Sequence, residues 1–246
     1  MKSGFFERLI VPGLIFQSTM IGGGYATGRE LIEFFLSLGP VAGLLSMLVT
    51  TLVMSVVCAA AFELARSYRL YDYRLFFKKL LGPAWFLFEA AYLALILLVL
   101  SVLGAASGEL LSATLGLQPI FGSLLLMLLV GSLVFWGSQA IERFLSTWSI
   151  ILYIAYIILI VWSFIVFGDA ISANLRPQNQ GPLTASVVTQ GVSYAGYNVV
   201  VFTAVLFVVR HFRNRSDAVW AGVLCGPLGM IPGFLLSGLA AYLVSV

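Results

Sequence analysis

The sequence predicts an all-α, polytopic integral membrane protein, and three observations carry that reading. Of 246 residues, 61% are hydrophobic and only 9% charged, where an ordinary soluble domain carries roughly 25% charged residues. The mean hydropathy is +1.06. The apolar residues are gathered into seven long runs, with the 13 Lys and Arg and the 10 Asp and Glu mostly between them. A helix crosses the hydrocarbon with about 20 apolar residues, whereas barrel strands alternate over about ten, so the runs read as helices. Water is then not the main solvent, which excludes a soluble enzyme, a disordered chain and a secreted disulfide scaffold. The net charge of +3 sits in short clusters at the run ends, as topology signals do, and no nucleic-acid partner is expected.

Taken in order, helices are expected over 9–38, 41–64, 83–111, 120–141, 144–168, 183–209 and 218–246. Residues 9–28 carry no charge, and the apolar pattern resumes after Glu33. With the N-terminus cytoplasmic, Lys2, Arg8, Arg66, Arg69, Arg74, Lys78, Lys79, Arg143, Arg210, Arg213 and Arg215 fall on the inner side, leaving only Arg29 and Arg176 elsewhere. Basic residues collect in cytoplasmic loops, so the N-terminus is expected inside and, after seven crossings, the C-terminus outside; the expected location is a plasma membrane of bacterial inner-membrane type. Lys2 and Arg8 before an apolar run look like a signal sequence, but six further spans follow without an obvious small-residue cleavage site, and the run is read as a retained helix. The loop 66–79 mixes its five cations with Tyr68, Tyr71, Tyr73, Phe76 and Phe77, which suits the inner headgroup layer beside anionic lipid. Cys58 and Cys225 lie in apolar runs, where a thiol behaves as a small hydrophobe. Two cysteines make neither a metal pattern nor a disulfide framework, so packing is their expected role.

The first helix carries Gly22-Gly23-Gly24 followed by Tyr25-Ala26-Thr27-Gly28 near its middle. Each interior Gly costs about 1 kcal/mol relative to Ala, so the helix is expected to open there. Thr27 and Glu30 have the S/T-x-x-E spacing of a capping box, which marks a helix beginning rather than continuing. Two half-helices, about 9–21 and 28–38, follow. Backbone freed at mid-membrane is tolerated only against protein or a watery cavity, where a carbonyl end holds a cation and an amide end an anionic group. The simpler alternative is that three small residues let another helix approach closely. A second, weaker interruption is expected where Gln190, Gly191, Ser193, Tyr194, Ala195, Gly196, Tyr197 and Asn198 gather in the sixth run. Asn198 should face inward, at a site or in an interhelical hydrogen bond. Two interrupted segments of opposite direction, five spans apart, point to an inverted-repeat transporter with a midplane site.

The run Gly22-Gly23-Gly24-Tyr25-Ala26-Thr27-Gly28-Arg29-Glu30-Leu31, with Glu33-Phe34-Phe35 after it and Ser193-Tyr194-Ala195-Gly196-Tyr197-Asn198 later, resembles the YkvI-type membrane proteins of the amino acid-polyamine-organocation superfamily. The resemblance covers nearly all of the chain. It implies the LeuT-like fold of two inverted five-helix repeats, here a first repeat over 1–168 and an incomplete second over 183–246, and a permease for amino acids or related solutes driven by Na⁺ or H⁺. Such a core has ten helices, so the resemblance also implies three more, from a missing C-terminal segment or a partner chain, and a cation site that is incomplete here. It further implies an outer gate at Arg29, with Glu109 as a possible partner.

Residue by residue, alternatives stay open. Arg29 also stands i, i+4 from Glu33. Glu30 reads as the capping-box partner, or as a proton carrier. Glu63 and Glu89 are coupling candidates with Arg66, Lys78 and Lys79 close enough to neutralise them. Ser101, Gly104 and Ser107 share a helix side that lines a pathway or simply packs. An enzyme is not expected, since no Asp lies inside a span and the lone histidine, His211, sits in a basic cluster. A seven-helix light sensor would want a Lys in the last helix, and 218–246 has none. The expected function is ion-coupled transport of a small solute. Gln17, Ser18, Gly22, Gly23, Gly24, Tyr25, Ala26, Thr27, Ser193, Tyr194, Gly196, Tyr197 and Asn198 would line the site, with no cofactor or metal. The alternative is a truncated, non-transporting scaffold, sensor or subunit that needs a partner chain.

Overall fold

The computed structural model describes residues 4–21, 29–174 and 185–243. Among the described residues every regular element is helical: α1 (Phe5–Leu9), α2 (Val11–Met20), α3 (Arg29–Phe34), α4 (Pro40–Tyr68), α5 (Tyr73–Leu81), α6 (Trp85–Leu115), α7 (Pro119–Phe135), α8 (Ser138–Asn174), α9 (Ala185–Asn198) and α10 (Arg215–Leu243), with 3-10 turns at Leu36–Leu38 and Gly82–Ala84 and a 3-10 stretch over Val199–His211. Among the described residues five helices are long and apolar enough to cross a membrane, and Pro119–Phe135 is a shorter apolar one. Among the described residues the first apolar run contributes no long helix: α2 stops at Met20, Ile21 is outside helical geometry, and the next described residues, from Arg29, are helical.

Local chemistry sets these boundaries. Gly39, at φ 90, makes the corner that Pro40 then leaves as the first residue of α4, a position where a missing N–H costs nothing. Asp72 caps α5 by accepting from the Arg74 and Leu75 amides at 2.9 and 3.2 Å. The α5 helix turns Phe76 and Phe77 into the core, against Phe202 and Phe88. Its cations stay outside, Lys78 over the Trp85 ring at 4.3 Å and Lys79 over Tyr68 at 4.5 Å.

The core lies between α2, α4, α9 with its 3-10 extension, and α10, with α8 laid along α2 and α10. Glycines set the spacing. A β-carbon on Gly222 would overlap the Ala59 backbone, and one on Gly226 would overlap Thr51 and Ser55, so α10 runs antiparallel to α4 with backbones almost touching. Gly191 plays the same part between α9 and α4, where an added carbon would lie 2.6 Å from the Ser46 carbonyl. The α6–α7 hairpin stands apart. It is joined by Ser123 Oγ donating to the Gly104 carbonyl at 2.7 Å and Ser107 Oγ to the Gly122 carbonyl at 3.3 Å, which gives Gly104 and Ser107 a packing role. Most of its large apolar side chains face outward.

The α10 helix contains Pro227 and Pro232. Proline has no N–H, so each leaves the carbonyl four residues earlier without its helical donor, here Val223 and Leu228. Ser55 Oγ on α4 donates to the Val223 carbonyl at 2.8 Å, and Tyr153 Oη on α8 donates to the Leu228 carbonyl. Both gaps are closed by hydroxyls from two of the helices packed against α10.

Ser55→Ala is expected to lower unfolding stability in detergent by about 1–3 kcal/mol, the usual cost of a buried group left unpaired. In a Pro227→Ala background, where residue 227 regains its N–H, the same change should be close to neutral. Thermal melts of the four proteins check this, and equal costs in both backgrounds would reject the pairing.

Candidate functional site

The site sequence analysis points to is the meeting of the first and sixth apolar runs. Of its residues, Gly22, Gly23, Gly24, Tyr25, Ala26 and Thr27 lie outside the described residues, and so does Gly28. What the structure describes is the approach to them on either side. The last turn of α2 turns one face into the protein, with Phe16 and Gln17 fully buried and Met20 nearly so, while Thr19 on the opposite face is exposed. Gly13, Phe16, Gln17 and Met20 recur at helical spacing on one face. On that face Leu228 fills the space over Gly13, and Phe16 and Met20 lie against Gly229. Ile21 has left helical geometry at ψ 84.

Gln17 is the anomaly. Its side chain is 0% exposed, and neither Oε1 nor Nε2 has a hydrogen-bond partner. Leaving a buried polar group unpaired costs about 1–3 kcal/mol, and this carboxamide leaves two. The Ser46 hydroxyl on α4 is likewise buried and unpaired, one turn from Thr50, whose hydroxyl donates to the Gly191 carbonyl of α9 at 2.9 Å. Ser18 sits on the other side of α2, where its hydroxyl and that of Ser149 share their protons among Leu145 O at 2.7 Å, Leu14 O at 2.6 Å and each other at 2.5 Å. That hydroxyl is committed to holding α8 rather than facing a ligand.

The structure corrects the sequence reading of the sixth run. The α9 helix continues without interruption through Ser193 and Asn198, and the change comes after it, where α-helical winding tightens to 3-10 over Val199–His211. A continuous helix turns about 100° per residue, so the expected lining residues divide between two faces. Tyr194 and Asn198 are buried, while Ser193, Gly196 and Tyr197 are exposed. Val199, Val200 and Val201 follow, and β-branched residues are poor α-helix formers. Passing from i−4 to i−3 pairing skips one carbonyl. At that junction Asn198 Nδ2 donates to the Tyr194 carbonyl at 3.4 Å.

Tyr194 joins the two segments. Its ring is completely buried and stands edge-on to Phe34 and Phe35, with centroids 5.1 and 4.8 Å apart. Its hydroxyl donates to Glu30 Oε2 at 3.3 Å. Glu30 therefore has a tyrosine partner on α9 that no sequence spacing signals, since the two are 164 positions apart. Arg29 pairs locally, its Nε 3.0 Å from Glu33 Oε1; Glu109 is exposed on α6 and is not its partner. Arg29, Glu30, Glu33, Phe34 and Tyr197 line an open cleft of about 320 Å³.

The remaining carboxylates are held elsewhere. Glu63 accepts from Arg66 Nε and Nη2 at 2.8 and 2.7 Å. Glu89 pairs with Arg74 at 2.7 Å and accepts from Tyr73 Oη at 3.2 Å, so its neutralising cation is Arg74 rather than Lys78 or Lys79. A feature that sequence reasoning missed is a larger cavity, about 650 Å³, at the end of the bundle where α1, the start of α8 and the end of the 3-10 stretch meet; Glu7, Glu142, Arg143 and His211 are among its lining residues. At the same end Arg8 pairs with Asp217 at 2.8 Å. Among the described residues no group of three or more His, Cys, Asp or Glu side chains could hold a metal ion. No family model, no curated protein and no solved structure matches this chain.

Tyr194→Phe keeps the aromatic contacts and removes the hydroxyl, so it is expected to cost about 1 kcal/mol. Tyr194→Leu also loses the edge-on ring pairs and should cost more. Unfolding of both variants in detergent measures the difference; identical losses would mean the Phe34 and Phe35 contacts contribute nothing.

Proposed function

We propose that this chain is a membrane transport protein that carries a small polar solute, an amino acid or a related compound, around a site between α2–α3 and α9. The observation that carries the proposal is that α2 ends with one face against the packed core, within a turn of the unpaired carboxamide of Gln17. Helix ends at such depth are tolerated where they line a cavity, and unpaired polar groups persist where function retains them. Buried polar residues of the described core are uncharged apart from Asp217, which Arg8 neutralises. An uncharged interior favours a solute with no net charge, such as a zwitterion.

The helix pairings support a LeuT-like inverted repeat. Exchanging α2 with α9 and its 3-10 extension, and α4 with α10, turns the α2–α10 contact into α9–α4 and returns α4–α10 to itself. In this reading the first span is the interrupted one, α7 is the short span, and the count is seven. The cations Arg8, Arg143, Arg213 and Arg215 share one end of the bundle, which supports a cytoplasmic N-terminus in a plasma membrane. Alternating access driven by Na⁺ or H⁺ completes the proposal. A second reading, a subunit or scaffold that needs a partner chain, is favoured by the span Tyr73–Leu115, none of whose most apolar window is buried.

The test is uptake of a labelled amino-acid panel into liposomes containing the protein, under imposed Na⁺ or proton gradients. Wild type should show saturable uptake, and Asn198→Leu should lose it. Gln17→Leu should reduce uptake at least about tenfold, yet unfold at higher temperature, because it removes two unpaired groups at about 1–3 kcal/mol each. Absence of saturable uptake by wild type rejects transport; full uptake by both variants rejects the site.

A further inference from the structure

The chain has two cysteines, and the fold brings them together. Cys58 lies on α4 and Cys225 on α10, both 0% exposed, and the Cys225 thiol interacts with the Cys58 thiol across the helix contact. The meeting falls where that contact is tightest. Gly222, one turn before Cys225, is pressed on Cys58 and Ala59, and Gly226, next to Cys225, on Thr51 and Ser55. Helices usually pack with axes 8–10 Å apart, too wide for most opposed residues to bridge. A disulfide needs Cα atoms about 4.4–6.8 Å apart, and glycine at 222 and 226 removes the side chains that would hold α4 and α10 at the ordinary spacing.

We propose that Cys58 and Cys225 form a redox-active dithiol whose disulfide staples α4 to α10. The inference does not depend on the transport reading. The chemistry suits the surroundings. A neutral thiol suits an apolar contact, where a charge would lack a partner. A disulfide is also uncharged and demands no solvation. Both thiols are enclosed by the helix contact, so an oxidant meets them only when α4 and α10 part, and a quinone, a lipid-soluble two-electron acceptor, is the class that reaches them at that depth. Two S–H bonds break and one S–S bond forms, while the two protons and two electrons pass to the quinone and leave it a quinol. The cross-link closes a loop that contains α5 to α9, and long loops are those in which a staple restricts the unfolded chain most.

The experiment uses the full chain in liposomes, treated with a fully substituted quinone that has no ring position left for thiol addition. The protein is then unfolded in detergent and its thiols counted with a maleimide of high mass. Wild type should take up no label after the quinone and two labels after a later reducing step. Cys58→Ala should take up one label in both conditions. Oxidised wild type should also melt at a higher temperature, by an amount that reductant reverses and that Cys58→Ala does not show. Two labels after quinone treatment would overturn the proposal. A chain-to-chain dimer on a non-reducing gel, or label loss that reductant cannot restore, would overturn it as well.

Discussion

The structure depends on one constraint: where water is scarce, each break in a helical hydrogen-bond ladder must be closed by a neighbouring side chain. Pro227 and Pro232 interrupt the ladder of α10, and the carbonyls they free are met by Ser55 and Tyr153. The same economy recurs between other helices. Thr50 reaches the Gly191 carbonyl, Ser149 reaches Leu14, and Ser18 reaches Leu145. Hydroxyls placed against backbone oxygens act as directional fasteners in a bundle whose apolar contacts alone would fix neither register nor rotation.

Close approach supplies the other half of the architecture. Glycines at 191, 222 and 226 let α4 touch both α9 and α10, which makes α4 the spine on which the elements of the candidate site are hung. Tyr194 is then held by that packing rather than by its own helix, and it draws the Glu30 carboxylate to α9. Against this background Gln17 stands out. Almost every other buried polar side chain in the described core has been given a partner, and this carboxamide has none.

Much of the fold was legible in the sequence because composition and run length report directly on the solvent. The all-helical class and the helices able to cross a membrane follow from that, and the described part of the first run ends its helix at Met20, just before the glycines. The sixth run was misread for a physical reason. Gly191 and Gly196 weaken an isolated helix, but Gly191 is the residue that admits α4, and the energy of that contact outweighs propensity. The β-branched residues after Asn198, which carry the real change of winding, looked only like further apolar sequence. Partners distant along the chain left no trace in it: nothing in the spacing of Glu30 and Tyr194, of Cys58 and Cys225, or of Tyr153 and Leu228 announces that they meet. Arg29 was legible to the extent that i, i+4 geometry decides a pair, and Glu109 was not, because exposure is a property of the assembled helices.

The winding of Val199–His211 has a mechanical corollary. Thirteen residues in 3-10 form rise about 2.0 Å each, against about 1.5 Å in an α-helix, so the segment is drawn out by roughly 6 Å, more than one α-helical turn. Relaxing it to the wider coil would retract its far end, where His211 borders the large cavity at the mouth of the bundle, toward Asn198. The polypeptide thus holds a reserve of length between its buried centre and its rim, and a small change of pitch at one translates into a long stroke at the other.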